Sequence, residues 1–175
     1  MKKLASPFAF IALAATLLAC GASVTQASDV DMSAREARDR AEIQALMWRY
    51  VRALDSFDAE GYAAAYTPDG QFGTGERAEK GRDALRKMVA DLKKNRAERE
   101  AKGEKPAPMY HVITNSNIEF VDKDHARYYA YWSTMFGAVG KDTPPRVAAV
   151  GRSIDELVRL DGKWLIKLRD VAPKD

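Results

Sequence analysis

The chain has 175 residues, 46% hydrophobic and 30% charged, enough for one ordinary domain with a sizeable core. Its formal charge is +3, and Lys2 and Lys3 stand in a leader, so the rest is near neutral and carries no nucleic-acid signature. A single cysteine excludes an internal disulfide, and one cysteine with two histidines offers no metal-ligand spacing.

The chain opens on "MKK", an uncharged apolar run "LASPFAFIALAATLLA", and then the small-residue stretch "CGASVTQAS". That order is a secretory signal peptide, and the run is short for a membrane span. Thr25-Gln26-Ala27 fits a small-x-small cleavage site, giving a signal over residues 1–27. "LLAC" fits a bacterial lipobox instead, with Cys20 as the lipid-bearing first residue. Both readings stay open. Either predicts an exported protein, periplasmic or membrane-attached through Cys20. Residues 28–35 are then a polar tether and residues 36–172 the folded domain.

Residues 33 to 56 read as a long helix, with Ser33 as N-cap and Glu36 at the capping-box spacing. Ile43, Leu46, Met47, Tyr50, Val51 and Leu54 form one buried stripe. Asp58 caps a second, shorter helix through Tyr66, which "TPDG" stops. A third helix spans about 81 to 102. Its charges are of both signs around an apolar stripe of Leu85, Met88, Val89 and Leu92, which is the pattern of a solvated helix.

After Pro108 the pattern changes to strands. "MYHVITNSNIEF", "HARYYAYWSTMF", "VAAVGRSIDELVRL" and "KWLIKLRDV" follow in turn, the last two joined by the hairpin dipeptide Asp161-Gly162. Helices first and hairpin-linked strands afterwards predict an α+β domain. Strict alternation on the first of these strands puts His111, Ile113, Asn115, Asn117 and Glu119 on one face. That mixture suits the lining of a pocket better than a dry core. For Tyr129, Tyr131 and Trp132 the inward face is open.

"IQALMWRYVRALDSFDAEGYAAAYTPDGQF", "HVITNSNIEF" and "GRSIDELVRLDGKWLI" together resemble the SnoaL-like branch of the nuclear transport factor 2-like superfamily. The resemblance implies a cone-shaped α+β fold, with a curved antiparallel sheet wrapped on the long helix and a pocket at one end. It also implies a homodimer or homotrimer. The family includes polyketide cyclases, scytalone dehydratase, bile-acid dehydratase, steroid isomerase and epoxide hydrolases, so fold alone does not give function. The bile-acid dehydratase type pairs a tyrosine with an aspartate five residues later on the first helix and a histidine on the following strand. Tyr50, Asp55 and His111 match that pattern. The steroid isomerase base has no counterpart in "FGTGE", and His125, beside a turn, does not match the second histidine of scytalone dehydratase. The Asp-Arg-Asp set of the epoxide hydrolases is not assigned.

On this reading Asp55 fixes the tautomer of His111, whose free nitrogen moves a proton next to a carbonyl. Tyr50 donates to the oxygen where negative charge develops. Tyr66 and Asn115 are secondary polar groups of the pocket, with structural roles as the alternative. No glycine-rich phosphate loop and no Ser or Cys nucleophile motif is present, so the chemistry expected uses no cofactor and no metal. The substrate class is a small hydrophobic carbonyl compound, for dehydration, isomerisation or cyclisation. The alternative is a non-catalytic module of the same fold, binding a hydrophobic ligand or serving assembly. Nucleic acid is not an expected partner, nor is a membrane beyond the leader or a lipid anchor.

Overall fold

The computed structural model describes residues 15–174, with side chains from residue 30 onward. Cleavage after Ala27 and lipidation of Cys20 therefore concern side chains outside the described residues. The chain divides into two compact units, Met1–Arg40 and Ala41–Asp175. Helix α1 runs from Ala15 to Asp55. Ser33 is thus not its cap. No glycine or proline occurs between residues 22 and 55, and a capping box favours a helix start but cannot break a helix already under way. The segment expected to be a tether is likewise helical, and it is exposed from Val30 to Arg38. Among the described residues no helix is long and apolar enough to cross a membrane.

The second unit carries the end of α1, two further helices, α2 (Ala59–Ala64) and α3 (Gly81–Ala101), and six strands. These are β1 (Tyr66–Phe72), β2 (Glu79–Lys80), β3 (Met109–Phe120), β4 (His125–Phe136), β5 (Arg146–Leu160) and β6 (Lys163–Asp170). They form one curved, open sheet in the order β2-β1-β6-β5-β4-β3. All neighbours are antiparallel except β1 and β6, which run parallel. Asp58 caps α2, accepting from the Gly61 N–H at 3.0 Å. That helix ends at Ala64, and "TPDG" lies within a strand instead of stopping a helix at Tyr66. A register shift between Tyr66 and Gln71 takes Pro68, Asp69 and Gly70 out of the ladder, where a missing N–H does no harm. Asp161 and Gly162 have φ of 50° and 74°, the left-handed values a two-residue hairpin turn requires.

The core lies between α1 and the sheet. Ile43, Leu46, Met47, Tyr50 and Leu54 pack against Ile118, Ala126, Tyr128, Leu157 and Ile166. Each such side chain taken from water contributes about 1.5–3 kcal/mol, which holds the helix on the sheet. Helix α3 adds Leu85 and Val89. Its other face carries exposed pairs such as Lys87–Asp91 and Arg96–Glu100, as expected for a solvated surface.

Two irregularities decide which side chains face inward. On β3, Thr114 pairs with Tyr131 and Asn117 with Tyr129, so Asn115 and Ser116 together oppose a single residue. Asn115 absorbs this bulge at φ 50°. The burial alternation therefore changes phase: His111 and Ile113 are partly buried, while beyond the bulge Ile118 and Phe120 turn inward. The single face expected for His111, Ile113, Asn115, Asn117 and Glu119 is not continuous. On β6, Glu156 pairs with Leu168 and Leu157 with Ile166, which leaves Lys167 unpaired in the ladder. After Trp164 and Ile166, the next buried residue is Arg169.

Candidate active site

Helix α1 ends at Asp55, beside the outer strand of the sheet. The Asp55 Oδ1 lies 2.7 Å from Nδ1 of His111, and both carboxylate oxygens accept from the His111 backbone N–H, at 3.1 and 3.2 Å. β3 is an end strand with β4 as its one neighbour, so Asp55 also satisfies a donor that would otherwise face outward from the sheet. An ionised carboxylate can only accept, so the ring presents Nδ1–H to it. In the neutral ring, that leaves Nε2 as the lone-pair nitrogen. The side chains are 20% exposed for His111 and 9% for Asp55, so the pair sits at a boundary.

His111 faces a cavity of about 170 Å³ whose wall also includes Tyr50, Phe72, Trp132, Thr134 and Arg169. The ladder explains this grouping. His111 pairs with Thr134 and that with Ala149, while Ile113 pairs with Trp132 and that with Gly151. Trp132 is held flat on its neighbour. Its Nε1–H lies 3.0 Å from the Arg152 carbonyl and 3.1 Å from that of Val171, and Gly151 leaves room for the indole. Of the aromatic residues on β4, Trp132 thus lines the cavity. Tyr131 is exposed, and Tyr129 donates to Glu119 at 3.0 Å.

Tyr50 is buried, with its ring 5.2 Å from that of Tyr62 and 6.1 Å from that of Tyr66. Tyr66 does not line the cavity. It is fully buried behind Tyr50, its hydroxyl 3.2 Å from that of Tyr62. Burial, then the neighbouring phenols, pushes Tyr62 and Tyr66 well above the usual phenol range, so both stay neutral. Asn115 is exposed at the bulge and takes no part in the wall. The structure thus sets Tyr50 and His111 on one cavity wall, with Asp55 bonded to His111 but not itself on that wall, and leaves Tyr66 and Asn115 outside.

Arg169 is the residue that the sequence did not single out. It is 2% exposed, its guanidinium carbon lies 4.7 Å from the centre of the Tyr50 ring, and it is ion-paired to the fully buried Asp155. The two are direct cross-strand partners in a row that runs Phe72, Arg169, Asp155, Tyr128, Ile118 across five strands. Burial works against the Arg169 cation, but Tyr50, Asp155 and Tyr66 outweigh it and raise its pKa. Burial pushes the Asp155 carboxyl up to about 7, against the pull of Arg169. A charged residue recurring among apolar ones in "KWLIKLRDV" was the available signal, hidden by the phase change at Lys167.

Two other hollows are larger. A groove of about 780 Å³ runs past Arg49, Arg52 and Lys163, and another of about 650 Å³ passes Trp48, Asp55, Tyr110 and His111, so the Asp55–His111 pair stands between this groove and the smaller cavity. Both are open clefts with exposed charges on their rims. Among the described residues no group of three or more His, Cys, Asp or Glu side chains is arranged to hold a metal ion.

Comparison with known proteins agrees with this architecture. No curated protein sequence matches the chain. A nuclear transport factor 2-like protein with a cystatin-like fold from Novosphingobium aromaticivorans superposes with a TM-score of 0.67 at 24% identity, covering 85% of this chain and 90% of that one. A proposed scytalone dehydratase from the same organism gives 0.61 at 23% identity, over 79% and 85% of the two chains. A protein of unknown function from Mycobacterium tuberculosis gives 0.62 at 25% identity, over 79% and 73%. The two Novosphingobium proteins show the fold. The family model for the SnoaL-like domain matches residues 35–170, and the chain therefore belongs to the SnoaL-like family.

Proposed function

We propose that the cavity carries out cofactor-independent acid–base chemistry on a small apolar carbonyl compound, by dehydration, isomerisation or cyclisation. The observation that supports it most is the contact of Asp55 with the His111 ring at the cavity wall. Asp55 holds the tautomer in which Nε2 carries a lone pair, and that nitrogen takes the proton next to the carbonyl. In a dehydration the resulting imidazolium returns a proton to the departing hydroxyl. Tyr50, at the wall, donates to the oxygen on which charge develops. We place this activity in an exported protein, on the leader read from the sequence.

One observation favours a second reading. Asp55 also binds the His111 backbone N–H, which accounts for its presence as a clasp between helix and sheet in a binding module without turnover. Hydrogen exchange separates the two. Small β-hydroxy ketones incubated with the protein in deuterium oxide are expected to exchange their α-hydrogens or lose water, and His111→Asn to abolish both. A panel that binds but neither exchanges nor dehydrates leaves the module reading in possession.

A further inference from the structure

The cavity is apolar over most of its wall, from Leu54, Phe72, Ile113, Trp132, Ala149 and Val171. Against those walls stands one permanent cation. Arg169 lines the cavity while Asp155 does not, so an occupant meets the guanidinium and not its counter-ion. The ion pair engages the Nη1 of Arg169, and its buried Nε–H has no acceptor.

We propose that the cavity recognises a small apolar carboxylic acid, bound as its carboxylate on Arg169 with its hydrocarbon part against Trp132 and Phe72. A carboxylate is the complement of a guanidinium, since its two oxygens match the planar set of N–H donors. A neutral aldehyde or ketone offers the guanidinium a single weak acceptor and no charge of its own. The volume fixes the size class. At about 170 Å³ the cavity lies below the ~300 Å³ where clefts for drug-sized ligands begin, which suits a single ring or a short chain. This rests on the cavity being the ligand site, as the proposed function holds, and narrows its substrates to keto or hydroxy acids. With the carboxylate on Arg169, the adjoining carbons lie toward His111 and Tyr50.

Calorimetric titration of the full chain with benzoate, benzamide and benzylammonium tests it. We expect benzoate to bind about tenfold or more tightly than benzamide, in line with a hydrogen bond to a charged group, and benzylammonium not to bind. Replacing both halves of the ion pair, in Arg169→Gln with Asp155→Asn, leaves neither partner alone and is expected to erase the preference. Arg169→Lys, which keeps the charge without the planar fork, is expected to reduce it, and serves should the double variant not fold. Equal affinity for benzoate and benzamide, no benzoate binding at millimolar concentration, or a preference that survives both variants overturns the assignment. Hydrogen exchange, run here with small keto and hydroxy acids beside the neutral ketones, reports on the other reading. An acid preference without exchange leaves this inference standing and sinks the catalytic one, and exchange without acid preference does the reverse.

Discussion

Asp55 and Asp155 each hold a nitrogen base at the wall of one cavity, and the two pairs are built for different tasks. Asp55–His111 lies where a helix end meets the outer strand, partly open to solvent, and its base can take up and release a proton. Asp155–Arg169 lies in the middle of the sheet, wholly buried, and its base never loses its charge. A proton carrier has to exchange with its surroundings, whereas a fixed charge is strongest where water is absent. On the proposed function, burial sorts the two pairs: one would move charge and the other hold it.

The buried pair gives the largest expected effect. Arg169→Met strands the Asp155 carboxylate in the core, with an expected loss of about 3–5 kcal/mol at about pH 8. Lowering the pH to about 5 is expected to recover part of this, because the stranded carboxyl takes a proton. The wild type has a related signature. The folded carboxyl of Asp155 titrates at about 7, above its unfolded value near 3.8. Between those values the folded state binds the proton more tightly, so this group's contribution is full at low pH and falls as pH rises through about 7. Asp155→Asn is expected to flatten that decline. Urea denaturation across this range measures both effects, and a wild-type slope of opposite sign, unaltered by Asp155→Asn, breaks the contrast between the pairs.

The boundary pair predicts a functional loss with little change in stability. Asp55→Asn still offers an oxygen to the His111 N–H, but its amide can donate to Nδ1, which favours the wrong tautomer. Proton transfer is expected to fall by about 10²–10⁴ and stability by about 0.5–1.5 kcal/mol. Nitrogen chemical shifts of the imidazole report the tautomer directly, with the exposed His125 as an internal control. An unchanged His111 ring spectrum removes Asp55 from the mechanism.

These two pairs were unequally legible in the sequence. Tyr50, Asp55 and His111 could be named because the resemblance to the SnoaL-like pattern carries them, and His111 keeps the expected face because it precedes the β3 bulge. The strands after Pro108 were legible because β-formers, turns and Asp161-Gly162 marked their ends. Arg169 and Asn115 were not, and for a single reason. Period two assigns faces only in an unbroken strand, and each of these residues lies at or beyond a bulge that reverses the alternation. The parallel pairing of β1 with β6 was hidden as well, since it joins residues far apart in the chain. Helical continuation through Ser33 follows from the absence of any glycine or proline around it, which outweighs the capping box.

The wall between the two pairs can be moved. A methyl group on Gly151 would stand 2.5 Å from the Trp132 ring, and the indole is fixed by its bonds to two carbonyls. Gly151→Ala is therefore expected to cost about 1–3 kcal/mol by overpacking and to push Trp132 into the cavity. Benzoate affinity should fall while the His111 tautomer stays as it is. A cavity that binds equally well in this variant would show that Trp132 is not part of the ligand wall.

The smallest effect separates β3 into the half that serves the site and the half that does not. Asn115 holds φ 50° at the bulge, with its side chain in solvent. Glycine adopts that conformation without strain, so Asn115→Gly is expected to leave stability within about 0.5 kcal/mol of the wild type. Valine cannot adopt it cheaply, and Asn115→Val is expected to lose about 1–2 kcal/mol. Neither change should alter the His111 tautomer or benzoate binding, because the residue contributes its backbone to the bulge and nothing to the cavity. Denaturation curves with matched titrations decide this. Weakened binding in Asn115→Gly at full stability would restore the side chain to the site and overturn the phase change on β3. If both variants bind as the wild type does, His111 and Ile113 mark where this strand's share of the wall ends.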